Sequence, residues 1–304
     1  MTTASPGDRL SEHLAAERER VEEALERAVE ALAAALPADV LDAVRHGVLG
    51  GGKRIRPILC VSAYEACGGS PSSSVYDLAA ALELIHGYSL MHDDLPCMDD
   101  ADLRRGRPTT HREHGEDVTM RAGAALIPAA ALQVLSACAE MGCPPARTRA
   151  VTAALLEAAG AGGMVGGQWE DLLGEGRALG AEELEALHGR KTGALLAASL
   201  VMGALAAGAP DRVVGALGAY GRAIGLAFQI ADDILDATQE AETLGKNPSD
   251  VALAKSTYVA LYGLGGARER ARAETARAVE ALRAVGLEAP TLVRLADYVV
   301  ARER

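Results

Sequence analysis

The sequence predicts an all-α protein: one helical domain over residues 1–304, a large bundle around a central cavity. Three observations carry that expectation. Aromatic residues make up only 3% of the chain while alanine and leucine dominate, which favours helix over sheet. Apolar residues recur at helical spacing in segment after segment, and no stretch beyond a few residues alternates with the period of a strand. Hydrophobic residues reach 49% of the chain, ample for a sizeable core, so a disordered protein is excluded.

A charged amphipathic helix is expected from Ser11 to Leu36, stopped by Pro37. A short helix over Asp39 to His46 follows, and Gly50-Gly-Gly-Lys-Arg-Ile-Arg-Pro57 breaks the pattern. Ile58 to Cys67 is apolar and helical, and Gly68 to Ser74 is a surface loop. Leu78, Leu82, Ile85 and Ser89 lie at helical spacing, placing a helix over Asp77 to Asp94. Pro96 cannot continue it and disfavours helical backbone at Leu95, so the chain should bulge and bring Asp99 back. The apolar helix over Asp117 to Met141 is expected to kink at Pro128, and a further helix covers Ala146 to Ala159. Gly160 to Gly167 and Gly174 to Gly180 read as glycine-rich connectors. Helices over Ala181 to His188, Thr192 to Ala207 and Asp211 to Ala237 come next. A polar loop from Glu242 to Ser256 and two last helices complete the chain.

The net charge of −12 argues against nucleic acid as a partner. An anionic small molecule is not excluded, because charges are screened beyond about 8 Å at physiological salt and a local cationic cluster outweighs them. Five cysteines form no CxxC pair, which suits a reducing cytoplasm better than a disulfide framework. No signal peptide is expected. The longest uncharged run, Thr192 to Pro210, falls short of the ~20 apolar residues that span a bilayer, and reads as a buried core helix instead of an anchor.

The chemistry concentrates in Tyr88-Ser-Leu-Met-His-Asp-Asp-Leu-Pro-Cys-Met-Asp-Asp-Ala-Asp-Leu-Arg-Arg-Gly-Arg107. Asp93, Asp94, Asp99, Asp100 and Asp102 crowd together, with Arg104 and Arg105 next to them. Such carboxylates repel one another unless cations intervene, hard divalent ions prefer oxygen, and guanidinium groups match phosphate. A solvated acidic helix end is the plainer reading, but acids at a helix C-terminus oppose its dipole. The stretch reads as a Mg2+-diphosphate site.

A second cluster, Gln229-Ile-Ala-Asp-Asp-Ile-Leu-Asp236, sets Gln229, Asp232 and Asp236 along one helical face, with Asp233 three residues before Asp236. Two acidic clusters about 140 residues apart can face each other across a cavity of an all-α fold and share Mg2+ with substrate phosphates. Basic segments complete the set. Lys53, Arg54 and Arg56 sit in a glycine-rich turn, and Lys191 and Thr192 open an apolar helix whose N–H groups favour phosphate. Lys246 and Lys255 follow the second cluster.

With these residues in hand, the chain resembles the trans-polyprenyl (isoprenyl) diphosphate synthase family, most closely the bacterial short-chain farnesyl/geranylgeranyl type. Asp-Asp-Leu-Pro-Cys-Met-Asp (93–99) and Asp-Asp-Ile-Leu-Asp (232–236) match its two Asp-rich motifs. Gly-Gly-Lys-Arg-Ile-Arg-Pro (51–57), Leu-Arg-Arg-Gly-Arg-Pro-Thr (103–109), Met-Val-Gly-Gly-Gln (164–168) and Lys-Thr-Gly (191–193) also match, in family order. Ala125, His114 and Val259 depart from residues usual in the family.

The resemblance implies that Asp93 and Asp99 ligate two Mg2+ ions with Asp94 in support, and that Asp232, helped by Asp236, holds a third. It implies that Arg104, Lys191, Thr192, Gln229, Lys246 and Lys255 grip an allylic diphosphate, with Asp233 in the catalytic cluster. Lys53, Arg56, His86 and Arg105 would bind isopentenyl diphosphate. A homodimer is implied as well. Tyr88, five residues before Asp93, would be a bulky floor that stops growth at C15, while Ser89 would leave some room, so farnesyl diphosphate is expected with geranylgeranyl diphosphate the alternative. A non-catalytic subunit of a hetero-oligomeric synthase would be expected to lose one acidic motif, and a class I terpene cyclase would not need Lys53, Arg56 and His86. This chain keeps all of them.

Overall fold

The computed structural model describes residues 6–174, 176–238 and 256–301. The elements run α1 (Pro6–Glu30), α2 (Ala38–Val48), α3 (Ile55–Ala66), α4 (Ser73–Asp93), β1 (Leu103–Arg104), β2 (Arg107–Pro108), α5 (Thr110–His114), α6 (Glu116–Glu140), α7 (Pro145–Ala159) and α8 (Met164–Gly174). They continue with α9 (Ala181–His188), a π-turn (Gly189–Gly193), α10 (Ala194–Ala207), α11 (Asp211–Thr238), α12 (Tyr258–Ala284) and α13 (Pro290–Ala301). The expected all-α class holds. Among the described residues the only strands are β1 and β2, paired antiparallel with Leu103 opposite Pro108. Arg105 and Gly106 link them with φ of 56° and 74°, the backbone of the tight turn that right-twisted hairpins favour.

One apolar cluster joins α1 through α4 to α6, α7, α10, α11 and α13. α4 packs along α6, α3 along α10, and α11 along both α10 and α12. α10 is buried over most of its length, including Leu195, Leu200, Met202 and Ala204, as its uncharged sequence suggested. A second cluster of Leu184, Leu226, Ile230, Tyr258, Ala267 and Ala271 ties α9 to α11 and α12. The stretches Glu116–Glu140, Pro145–Gly174 and Asp211–Thr238 are long and apolar enough to cross a membrane by length and composition. Sequence reading, fixed on the uncharged run at Thr192, passed over them.

Several boundaries differ from expectation: α1, α3 and α4 begin earlier, at Pro6, Ile55 and Ser73, and three further differences have a physical reason. α1 ends at Glu30, and from Leu32 the backbone turns to partners three residues back, Val29 and Glu30, tightening ahead of Pro37. Gly160 to Gly167 is not all connector, because α8 begins at Met164. A side chain at Gly167 would put its Cβ 2.6 Å from Lys191 Cα, so that glycine serves close packing of α8 on the π-turn. Thr192 does not open a helix either. α9, the π-turn and α10 run on with helical backbone throughout, so no free helix N-terminus faces an anion there.

Candidate active site

The glycine-rich loop between α2 and α3 is bolted down by Arg54. Its backbone is left-handed at φ 51°, and its side chain is 3% exposed. The guanidinium donates to Glu22 at 2.8 and 3.0 Å, to Glu83 at 2.8 Å and to the Val48 carbonyl at 2.8 Å. Arg54 is therefore structural, and it anchors the loop that carries Lys53 and Arg56. Lys53 lies exposed at its edge. Arg56 and His86 line a shared cavity, and the Arg56 Nε is buried with no hydrogen-bond partner. Burial first, then the charges of Arg56, Arg105, Arg104 and Arg54, hold the His86 imidazole well below its ordinary pKa. Arg105 Nη1 donates to the Gly51 carbonyl. Gly52, at φ 141°, leaves room for it, since a Cβ there would come within 2.8 Å of Nη1. The loop and the β1–β2 hairpin thus bring Arg56, His86 and Arg105 together.

The first acidic segment bulges as expected. Past Asp94 the chain curls back until the Asp99 amide donates to the Asp93 carbonyl at 2.9 Å, with Ala101 bonded to the Asp94 carbonyl. The five aspartates separate into three roles. Asp100 and Asp102 face outward to Arg112, at 3.2 and 2.7 Å. Asp94 is buried and takes a fork of bonds from Arg104, including Nε at 3.1 and 3.3 Å. Asp94, expected to support the ions, orients the Arg104 guanidinium in this arrangement. Asp93 and Asp99 face the interior. Burial, reinforced by Asp99 and Asp94 and opposed by Lys191 and Arg104, pushes the Asp93 carboxyl up to about 7.

Across the cavity, α8, the π-turn and α11 supply the opposite wall. Lys191 Nζ donates to Asp171 Oδ2 at 2.5 Å. Asp233 Oδ2 accepts from the Tyr258 amide at 2.6 Å, so this member of the expected catalytic cluster tethers the start of α12. Burial lowers the Arg56 guanidinium's pKa, and Asp232 lies near enough for its charge to oppose that shift in part; Asp236 stands half-buried one turn on. Lys246 and Lys255 lie outside the described residues. Sequence reasoning gave Gln168 no role beyond its place in Met-Val-Gly-Gly-Gln (164–168), and missed Trp169 and Asp171 on α8. The signal was present: Gln168 and Asp171 are three apart after two glycines, and Trp169 is the chain's one tryptophan.

Two cavities meet at Lys191. The larger, about 390 Å³, is walled mainly by Tyr88, Leu90, Met98, Met164, Val165, Trp169 and Leu172, with Arg56, His86, Ser89, Asp93 and Thr192 at its polar parts. The smaller, about 150 Å³, is polar: Asp99, Asp171, Gln229 and Asp233 face Lys191 in it. The donor set suits a hard divalent ion. Asp99 Oδ1 is buried with no partner, and burial raises the Asp93 carboxyl beside it despite Lys191 and Arg104. Mg2+ takes few carboxylates and completes its shell with phosphate and water, and Asp93 and Asp99 supply carboxylates on this side.

A pH dependence follows. Asp93 binds its proton up to about pH 7 when folded but only to its ordinary 3.8 when unfolded, so its contribution to stability falls as pH rises through that window. Mg2+ must displace that proton. The rise in melting temperature on adding Mg2+ with pyrophosphate is expected to be larger at about pH 8 than at about pH 6. An equal rise at both would contradict the assignment.

A family model described as polyprenyl synthetase matches residues 38–285. The chain is 44% identical over 271 residues to geranylgeranyl pyrophosphate synthase 11, chloroplastic, of Arabidopsis thaliana, covering 88% of this chain and 75% of that protein. Its fold superposes on a farnesyl/geranylfarnesyl diphosphate synthase of Zymomonas mobilis with a TM-score of 0.82 at 32% identity, covering 96% and 99% of the two chains. It superposes equally on a geranyltransferase of Helicobacter pylori complexed with magnesium and isoprenyl diphosphate, with a TM-score of 0.81 at 32% identity over 99% and 98%.

Proposed function

Because the chain belongs to the polyprenyl synthetase family and is a prenyltransferase, we propose that it joins isopentenyl diphosphate to dimethylallyl or geranyl diphosphate and stops at farnesyl diphosphate. The observation that carries this reading is the pair of cavities joined at Lys191. A diphosphate head fits the polar one, which both Asp-rich segments line, and a prenyl tail fits the apolar one.

In this reading Asp93 and Asp99 hold Mg2+ from one side and Asp232 with Asp236 from the other, about three ions per site. Bound there, Mg2+ neutralises charge that builds on the departing diphosphate. Lys191, Thr192, Gln229 and Arg104 receive the allylic diphosphate, joined by Lys246 and Lys255. Lys53, Arg56, His86 and Arg105 hold isopentenyl diphosphate by N–H donation. The allylic C–O bond breaks with its electron pair going to diphosphate, leaving an allylic cation. The isopentenyl double bond gives its pair to that carbon, and transfer of an adjacent proton to the released diphosphate restores a double bond in a chain longer by one C5 unit. Apolar walls from Met164 to Leu172 keep water from the cation.

The aromatic Tyr88 in the cavity wall supports a C15 product. Geranylgeranyl diphosphate is the second reading, favoured by the name of the Arabidopsis relative. Purified protein with Mg2+, isopentenyl diphosphate and each of three primers (dimethylallyl, geranyl, farnesyl), with products separated by length, tests the proposal. Dominant C15 supports it, C20 moves the product reading, and no elongation from any primer points to a non-catalytic subunit.

The reading includes a cytoplasmic homodimer. Five free thiols suit a reducing compartment. On α6, Met120, Ile127, Leu132 and Leu135 are exposed. Leu132 is 65% exposed, a face that a second copy would cover. Leu132→Glu is expected to convert a dimer to monomer in sedimentation. A monomeric parent protein would remove the dimer from the reading.

A further inference from the structure

Tyr88 and His92, one turn apart on α4, both line the apolar cavity. Their rings meet edge to face, with centroids 4.9 Å apart and planes at 78°. His92 is in turn held from behind by α6, where its Nε2 lies 3.2 Å from the Met120 carbonyl. A carbonyl only accepts, so Nε2 carries the proton and the tautomer is set. Gly123, on the same face of α6, supplies the space: a Cβ there would overlap the His92 Nε2 and stand 2.5 Å from Cδ2. The imidazole thus occupies the volume a side chain at position 123 would fill.

We propose that His92 is a positioning residue for product length, seated in the Gly123 notch and tied to Met120 so that its ring fixes Tyr88 as the floor of the cavity. The proposal rests on reading Tyr88 as that floor. The phenol ring packs against an imidazole that cannot retreat, because α6 backs it with a hydrogen bond and a close-fitting glycine. A side chain at 123 drives the imidazole toward Tyr88 and the cavity. Loss of the imidazole opens space into which the Tyr88 ring withdraws. The two changes therefore act on chain length in opposite directions, through one ring.

The test is the product distribution of four variants in the extension assay, with thermal melts checking the fold. Tyr88→Ala lengthens the product if Tyr88 is the floor. His92→Ala is expected to raise the C20-to-C15 ratio by about tenfold, and Gly123→Ala to lower it or favour C10. In the Gly123→Ala/His92→Ala double variant the Gly123→Ala effect should vanish, since the ring it displaces is gone. A merely structural role for either residue would lower total incorporation without moving the ratio. If Tyr88→Ala lengthens the product while Gly123→Ala leaves the distribution unchanged, the proposal is overturned and the floor stands. If Tyr88→Ala changes nothing, the floor reading itself fails. Should His92→Ala not turn over, Gly123→Ala alone decides, because it leaves α4 intact.

Discussion

Asp93→Ala is expected to lower turnover by about 10²–10³-fold or more, while the metal-free protein at about pH 8 melts no lower than the parent, and higher if relief from repulsion dominates. The two effects have one origin. Asp93 sits in a partly buried position beside Asp99 and Asp94, and its carboxyl is pushed up to about 7. At higher pH the fold carries a carboxylate it stabilises poorly, which is the usual cost of a site built to bind a cation. Alanine removes the repulsion and the metal ligand together. Asp232→Ala, from the opposite wall, should cause a comparable loss of turnover. Steady-state rates and melting curves of both variants check this, and near-parental turnover in either would sink the metal assignment.

The largest expected effect on stability comes from a residue outside the chemistry. Arg54→Ala leaves Glu83, whose side chain is 4% exposed, buried without its cation. Breaking a buried pair by removing one partner costs about 3–5 kcal/mol. For a protein of this size that lowers the melting temperature by roughly 6–10 °C, at about 2 °C per kcal/mol. Activity should fall further than stability alone explains, because Arg54 also anchors the loop that carries Lys53 and Arg56. Combining Arg54→Met with Glu83→Met is expected to recover part of the lost stability, since neither charge is then buried alone. Equal melting temperatures for the parent and Arg54→Ala would show that solvent reaches Glu83 more freely than its burial implies.

Arg54 also marks where sequence reading stops. In Gly51-Gly-Lys-Arg-Ile-Arg-Pro57 all three cations look alike, and adjacent positions on an irregular loop have no period that separates inward from outward. The partners that claim Arg54, Glu22 and Glu83, lie 32 and 29 residues away. Asp94 and Asp233 are similar cases. Each belongs to an acidic cluster whose composition announces a cation site, and each also has a partner that composition does not announce, Arg104 for one and the Tyr258 amide for the other. Lys191 and Thr192 carry the right chemistry, but the helix terminus expected to present them is absent, because Gly189 and Gly193 lie within a π-turn and break nothing. Glycine is ambiguous in a sequence: it permits a turn and equally permits close packing.

The sequence by itself determined the helical class, most element positions and the two acidic segments with their basic companions. Those properties are written in local spacing and residue type, which survive without knowledge of distant contacts. Tertiary structure alone decided that Arg54 is claimed by Glu22 and Glu83, that Asp171 joins Lys191, and that His92 stands between Gly123 and Tyr88. These depend on where helices far apart in the chain cross, and a side chain's role is fixed by the partner that reaches it first.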